Sequence, residues 1–69
     1  MMTADQFDAL AELLRLRQSA SREAARLVLV DGLRTGEAAD HTGITSQGVS
    51  NAVASCQRGI ELAGRIVGR

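Results

Sequence analysis

Uncharged hydrogen-bonding side chains are concentrated in one short stretch of the chain. They are Thr45, Ser46, Gln47, Ser50 and Asn51, and no acidic residue interrupts them. Gln47 and Asn51 are four residues apart, a spacing that places two side chains on one face of a helix. A side-chain amide can form a bidentate pair with adenine in the major groove of DNA, worth roughly 1–3 kcal/mol of base discrimination. The pattern therefore predicts a surface that reads DNA bases with these five residues.

The residues around this surface have the spacing of a helix-turn-helix, in which one helix braces a second across a tight turn. Thr35 is the predicted cap of a short helix through His41, and Thr45 caps a second, recognition helix that runs through Val53. Gly43 supplies the turn, where a positive φ is common. The small and apolar positions of the motif are Ala39, Ile44, Val49, Ala52 and Val53. The alternative is an ordinary helical hairpin that does not bind DNA.

Arginines near this motif are the candidate phosphate contacts. Arg34 precedes the motif, Arg58 follows it, and Arg22 and Arg26 belong to the segment before it. The alternative for each is a solvated side chain or a pair with a carboxylate such as that of Glu23. Eight arginines balance eight acidic residues, and a net charge of zero argues against binding nucleic acid without sequence preference.

Other classes of function lack the residues they need. The one histidine, His41, and the one cysteine, Cys56, have no companions that would make a nucleophile, a zinc site or a cofactor site. We therefore expect no enzyme activity and no cofactor, and we expect Cys56 to be structural. No secretory signal and no membrane-spanning run is evident, so we expect a cytoplasmic bacterial protein without a membrane partner.

Helical patterns also extend over the rest of the chain. A capping box at Thr3 and Gln6 predicts a first helix over Ala4–Arg17, with Phe7 in the core. A second helix is predicted over Arg22–Asp31, ended by Gly32, although its apolar, partly β-branched sequence leaves a buried strand as an alternative.

Residues 57–69 complete the pattern as a C-terminal helix loosened by glycines. Its apolar stripe is the candidate dimer interface, and it consists of Ile60, Ala63, Ile66 and Val67. A role of the stripe in the core of one protomer is the alternative. The whole sequence, residues 1–69, thus predicts a single all-α domain, a small bundle of about five helices that contains the helix-turn-helix.

Three segments resemble the KorA/TrfB family of plasmid-encoded repressors. They are Thr3–Phe7, the sequence AARLVLVDG over Ala24–Gly32, and GITSQGVSNAV over Gly43–Val53. The resemblance covers most of residues 3–53, and the AARLVLVDG element is more distinctive than the helix-turn-helix. It implies an all-helical domain that binds palindromic operators as a homodimer and represses genes of plasmid replication, maintenance or transfer. A second repressor protein is a possible partner.

The chain departs from the family pattern in its reading residues and in its length. The family has an arginine directly after the threonine that opens the recognition helix and a glutamine after the Val-Ser pair, whereas Ser46 and Asn51 stand here. Loss of the arginine removes a guanine contact, so the operator is expected to differ. The best-known member of this family also has a further dimerisation region at its C-terminal end. The rival function is a protein-interaction module or anti-repressor that keeps the fold without reading DNA.

Overall fold

The computed structural model describes residues 2–67, apart from the side chain of Val67, and contains four α-helices. They are α1 (Ala4–Leu13), α2 (Ala20–Leu29), α3 (Thr35–Thr42) and α4 (Ser46–Val67). Residues 2–67 contain no β-strand. The predicted all-α class is confirmed. The predicted number of about five helices is wrong, because the recognition helix and the C-terminal helix form one continuous helix.

Helix α1 begins where the sequence predicts and ends earlier. The Gln6 amide donates to Thr3 Oγ1 at 3.1 Å, and the Thr3 amide donates to Gln6 Oε1 at 3.0 Å, so the capping box is present. The predicted extension to Arg17 is wrong, because Arg15 adopts a φ of 56° outside the helix. The two leucines that flank Arg15 then pack against the core.

The segment that the sequence left open between strand and helix is helix α2. The Arg22 amide donates to Ser19 Oγ at 3.2 Å, which caps the first turn. The helix begins and ends two residues before the predicted bounds Arg22–Asp31. Gly32 follows with a φ of 77°, as expected of a glycine that terminates a helix.

Helix α4 runs without interruption from Ser46 to Val67. The predicted new helix at Gln57 is absent, because nothing breaks the chain there and the neighbouring Cys56 is buried in the core. Gly59 does not interrupt this helix. A β-carbon at that position would lie 2.8 Å from both δ-carbons of Leu14, so the missing side chain lets α4 approach the end of α1 closely.

Two clusters of buried side chains meet at α2. One consists of Phe7, Leu10, Ala11, Ala25 and Cys56, and the other of Ala24, Ala38, Ala39 and Val49. The adjacent alanines Ala24 and Ala25 therefore face different clusters, and Val53 of α4 packs against both. As a result α2 and α4 contribute to both clusters, with α1 packed in the first and α3 in the second. The predicted core position of Phe7 is confirmed.

We expect two glycine-to-alanine substitutions in α4 to change stability differently. Alanine favours a helix over glycine by up to about 1 kcal/mol. At Gly64 no atom lies within 4 Å of a new β-carbon, so Gly64→Ala should raise the free energy of unfolding by about 0.5–1 kcal/mol. At Gly59 the new methyl group must displace Leu14, so Gly59→Ala should be less stable than Gly64→Ala by about 1 kcal/mol or more. Urea denaturation measures both, and equal stabilities would contradict the tight contact.

Candidate nucleic-acid interface

The turn between α3 and α4 has the conformation that the sequence predicts. Gly43 has a φ of 78°, and its amide donates to the Ala39 carbonyl at 2.8 Å. Ile44 is half-buried and packs against the cluster that contains Val49. The other predicted brace positions are buried or half-buried as well, and they are Ala39, Val49, Ala52 and Val53. Helix α4 is thus anchored to α3 from its first turns onward.

The cap predicted from the sequence is present at the beginning of α4 and absent at the beginning of α3. The predicted cap at Thr45 is confirmed, because the Gly48 amide donates to Thr45 Oγ1 at 3.0 Å. The predicted cap at Thr35 is wrong, since Thr35 is the first residue inside α3. Arg34 precedes that helix instead, and its amide donates to Glu37 Oε1 at 2.9 Å.

The predicted base-reading residues lie together at the beginning of α4. Ser46, Gln47, Ser50 and Asn51 are all exposed, as is Thr45 just before the helix. Val49, between them in sequence, is completely buried, so the helix presents its polar face to solvent while its apolar face is fixed. The Gln47 Nε2 group donates to Asn51 Oδ1 at 3.0 Å. The first turn of α4 contains no acidic residue, which leaves its positive end available to an anion.

The four arginines predicted to bind phosphate have different surroundings. Arg22 is half-buried, with Nη1 donating to the Leu16 carbonyl at 3.4 Å and Nη2 at 4.0 Å from Asp8. Arg26 lies between the carboxylates of Glu23 and Asp31, at 3.9 and 3.5 Å. These two side chains on α2 therefore have partners within the protomer.

The other two candidate arginines are more accessible. The Arg58 side chain is 67 % exposed although it is 3.7 Å from Glu61. It lies seven residues beyond Asn51 and continues the exposed face of α4. Arg34 is exposed, and within residues 2–67 no carboxylate lies within 4 Å of its guanidinium. Of the four predicted arginines, Arg34 and Arg58 are thus the two whose guanidinium groups are more available to a phosphate.

One further arginine near α4 was missed by the sequence analysis. Arg17 is exposed and lines a cavity of about 150 Å³ together with Ser55 and Cys56 of α4. Its position follows from the left-handed conformation of Arg15, which turns the chain after α1 toward α2 and α4. A left-handed arginine has no sequence signature, so no pattern pointed to Arg17.

Cys56 and His41 occupy opposite environments. Cys56 is 1 % exposed, and burial raises the pKa of its thiol, which keeps it protonated. The expected structural role of Cys56 agrees with this burial. His41 is exposed near the end of α3. Within residues 2–67 no group of three or more histidine, cysteine or carboxylate side chains could hold a metal ion, and no helix is long and apolar enough to cross a bilayer.

A second surface lies between α1 and the last turns of α4. It is a groove of about 420 Å³ lined by Met2, Gln6, Ala9, Leu10, Leu13, Ile60 and Ala63. Leu13 is 62 % exposed and Ile60 is 41 % exposed, so the groove presents apolar side chains to solvent. Of the predicted dimer residues, Ile60 and Ala63 line it, whereas Ile66 is exposed outside it. The side chain of Val67 lies outside the described residues.

A family model described as TrfB plasmid transcriptional repressor, or KorA, matches residues 2–61 of the 69-residue chain. The chain belongs to the KorA/TrfB family. This is a family of plasmid transcriptional repressors and not a class of enzymes. No curated protein and no solved structure matches the chain. The match contains all of α1, α2 and α3, the turn, and α4 as far as Glu61.

The two expected departures from the KorA/TrfB pattern lie at the surface. Ser46 and Asn51, at which the resemblance implies an arginine and a glutamine in the family, are both exposed on α4. The brace that holds α4 consists of a small residue at Ala39, a glycine turn and the buried Val49. The two positions at which we expect a departure from the family thus face solvent, and the residues that position α4 are buried beneath them.

We expect Gly43→Ala to destabilise this KorA/TrfB protein through backbone conformation alone. No atom lies within 4 Å of a β-carbon at Gly43, but its φ of 78° is unfavourable for alanine by about 1–2 kcal/mol. Asparagine tolerates this conformation better, so Gly43→Asn should recover part of the loss. Gly36→Ala is the matched control, because its β-carbon also meets no atom and its φ is not positive. Thermal unfolding measures all three, and equal effects of the two alanines would contradict the strained turn.

Proposed function

We propose that the protein represses transcription by binding a palindromic DNA operator as a homodimer. In this proposal α3, the turn and the first turns of α4 act as a helix-turn-helix, and α4 enters the major groove. The observation that carries the proposal is the exposed polar face at the start of α4, which has no acidic residue and is anchored from behind by Val49. The two half-sites would lie about 10 base pairs apart.

Base reading and phosphate binding are assigned to different residues. Ser46, Gln47, Ser50 and Asn51 face the base edges, and Thr45, whose oxygen already accepts a hydrogen bond, can still donate its hydroxyl proton. The free amides at the start of α4 favour a phosphate. Arg34 and Arg58, with Arg17, are the preferred phosphate contacts, because Arg22 and Arg26 already have partners within the protomer.

Repression follows from occupation of the promoter, which excludes the polymerase without an effector or a catalytic step. The family description supports genes of a plasmid as the target, and we assign the protein to plasmid maintenance or transfer operons in the cytoplasm of a bacterium. The net charge of zero fits a repressor that discriminates between sites, because non-specific affinity depends on the number of phosphates that cations neutralise.

Dimerisation is assigned to the groove between α1 and α4. Its exposed apolar residues, Leu13 and Ile60, would be covered by a second copy of the chain around a two-fold axis. Ala63 also lines this groove, and its small side chain permits close approach of a partner helix. The two-fold axis would match the symmetry of the palindromic operator.

Selection of bound duplexes from random DNA tests the reading face, and Ser50→Asp is the decisive variant. A carboxylate among the base-reading residues would repel the phosphates and offer only acceptors, so we expect at least about a tenfold loss of affinity for the selected duplex. Ala4→Asp adds the same charge at an exposed position on α1, a helix that is not part of the proposed helix-turn-helix, and should have a much smaller effect.

The same titrations at several salt concentrations separate the candidate functions. Operator binding should weaken steeply as salt rises, because bound phosphates release counterions. Failure of the wild-type protein to enrich any sequence would contradict the repressor assignment and favour the interaction module. Equal losses in Ser50→Asp and Ala4→Asp would contradict the assignment of the reading face.

The assignment of the dimer groove is tested by Ile60→Ser and Leu62→Ser. Both residues are 41 % exposed on α4, but only Ile60 lines the groove. Loss of one buried isoleucine from the interface should weaken self-association about tenfold or more, since burial of such a side chain contributes about 1.5–3 kcal/mol. Sedimentation equilibrium measures the dimer dissociation constant. An equal effect of both substitutions, or of neither, would argue against this groove.

A further inference from the structure

The hydrogen bond between Gln47 and Asn51 determines which polar atoms α4 can offer to a base. Gln47 Nε2 donates to Asn51 Oδ1 at 3.0 Å across one helical turn, and both side chains are exposed. One amide hydrogen of Gln47 and the carbonyl oxygen of Asn51 are therefore already used. Gln47 Nε2 keeps its second hydrogen and Asn51 Oδ1 keeps its second lone pair, so the hydrogen bond reduces what each amide can offer to a base edge and holds the two side chains together.

The two amide atoms that this hydrogen bond does not use are complementary to a single base. Gln47 Oε1 is an acceptor and Asn51 Nδ2 is a donor, and within residues 2–67 neither has a hydrogen-bond partner. In the major groove adenine presents an acceptor at N7 and a donor at its N6 amino group. Two side chains joined in this way offer the same donor and acceptor pair that a single amide offers, with atoms supplied by two residues.

We propose that Gln47 and Asn51 act as one reading unit for adenine, in which Asn51 Nδ2 donates to N7 and Gln47 Oε1 accepts from the N6 amino group. This inference rests on the proposed function, because it assumes that α4 lies in the major groove. It differs from independent reading by two amides, since one A·T pair, and not two, is specified by the two residues.

The unit also rejects guanine. Guanine presents acceptors at both N7 and O6, so Gln47 Oε1 would face a second acceptor without a hydrogen between them. An unpaired acceptor at a desolvated site is unfavourable, which adds discrimination beyond the two hydrogen bonds that adenine forms. The hydrogen bond between the side chains also restricts their rotamers before DNA binds, so less conformational freedom is lost on binding.

If Gln47 and Asn51 read the base jointly, the contribution of each side chain to DNA affinity depends on the presence of the other. When either side chain is truncated, the other loses the hydrogen bond that orients it and reads the base poorly. Each of Gln47→Ala and Asn51→Ala should therefore weaken binding to the selected duplex about tenfold, and the double variant should also be weakened about tenfold. Independent contacts would instead multiply to about a hundredfold loss.

The experiment is a double-mutant cycle on a duplex selected by the wild-type protein, with affinities from fluorescence anisotropy. Gln57→Ala is the matched control, because Gln57 is also an exposed glutamine on α4 and lies more than one turn beyond Asn51. It should leave the affinity unchanged. Circular dichroism establishes that all the variants are folded.

Duplexes that contain an adenine analogue identify which atoms of the base are contacted. Replacement of the contacted adenine by 7-deazaadenine removes N7, and replacement by purine removes the amino group. Each should weaken wild-type binding about tenfold and leave the double variant nearly unaffected. A hundredfold loss in the double variant, a guanine at the contacted position, or a double variant that remains sensitive to either analogue would overturn the inference while specific binding stands. Absence of any selected sequence would overturn the proposed function itself.

Discussion

The close packing of α2 through two adjacent alanines is the constraint on which the rest of the molecule depends. Ala24 and Ala25 are at most 1 % exposed and belong to different buried clusters. Their methyl groups let neighbouring helices approach where larger side chains would hold them apart. A chain of 69 residues buries a small core, so this contact has few alternatives. The orientation of α4 is a consequence, because Val53 packs against both clusters.

The parts of the fold that local chemistry determines could be predicted from the sequence. Capping at Thr3 and Thr45, the positive φ of Gly43 and the burial of Val49 each follow from a residue and its near neighbours. The end of α1 could not be predicted in this way. Arg15 adopts a left-handed conformation that arginine does not favour alone, and it is accompanied by tertiary packing of the leucines on either side.

The same distinction applies to the candidate site. Exposure of Ser46, Gln47, Ser50 and Asn51 followed from helical periodicity. The surroundings of the arginines did not, because the contact of Arg22 with Asp8 joins two helices that are separated by a loop. Gly59 shows the limit most clearly. Its propensity indicates a weakened helix, whereas its contact with Leu14 makes it a packing position.

The continuity of α4 has a mechanical consequence. The reading face and the groove assigned to dimerisation belong to one helix without a hinge, and Asn51 and Ala63 are separated by about 18 Å along its axis at about 1.5 Å per residue. In the proposed dimer each α4 would act as a rigid spacer that fixes the distance between the two reading faces. Such a dimer would bind both half-sites only when their separation matches this fixed distance. DNA with the correct bases at another spacing would be bound by one protomer and not by both.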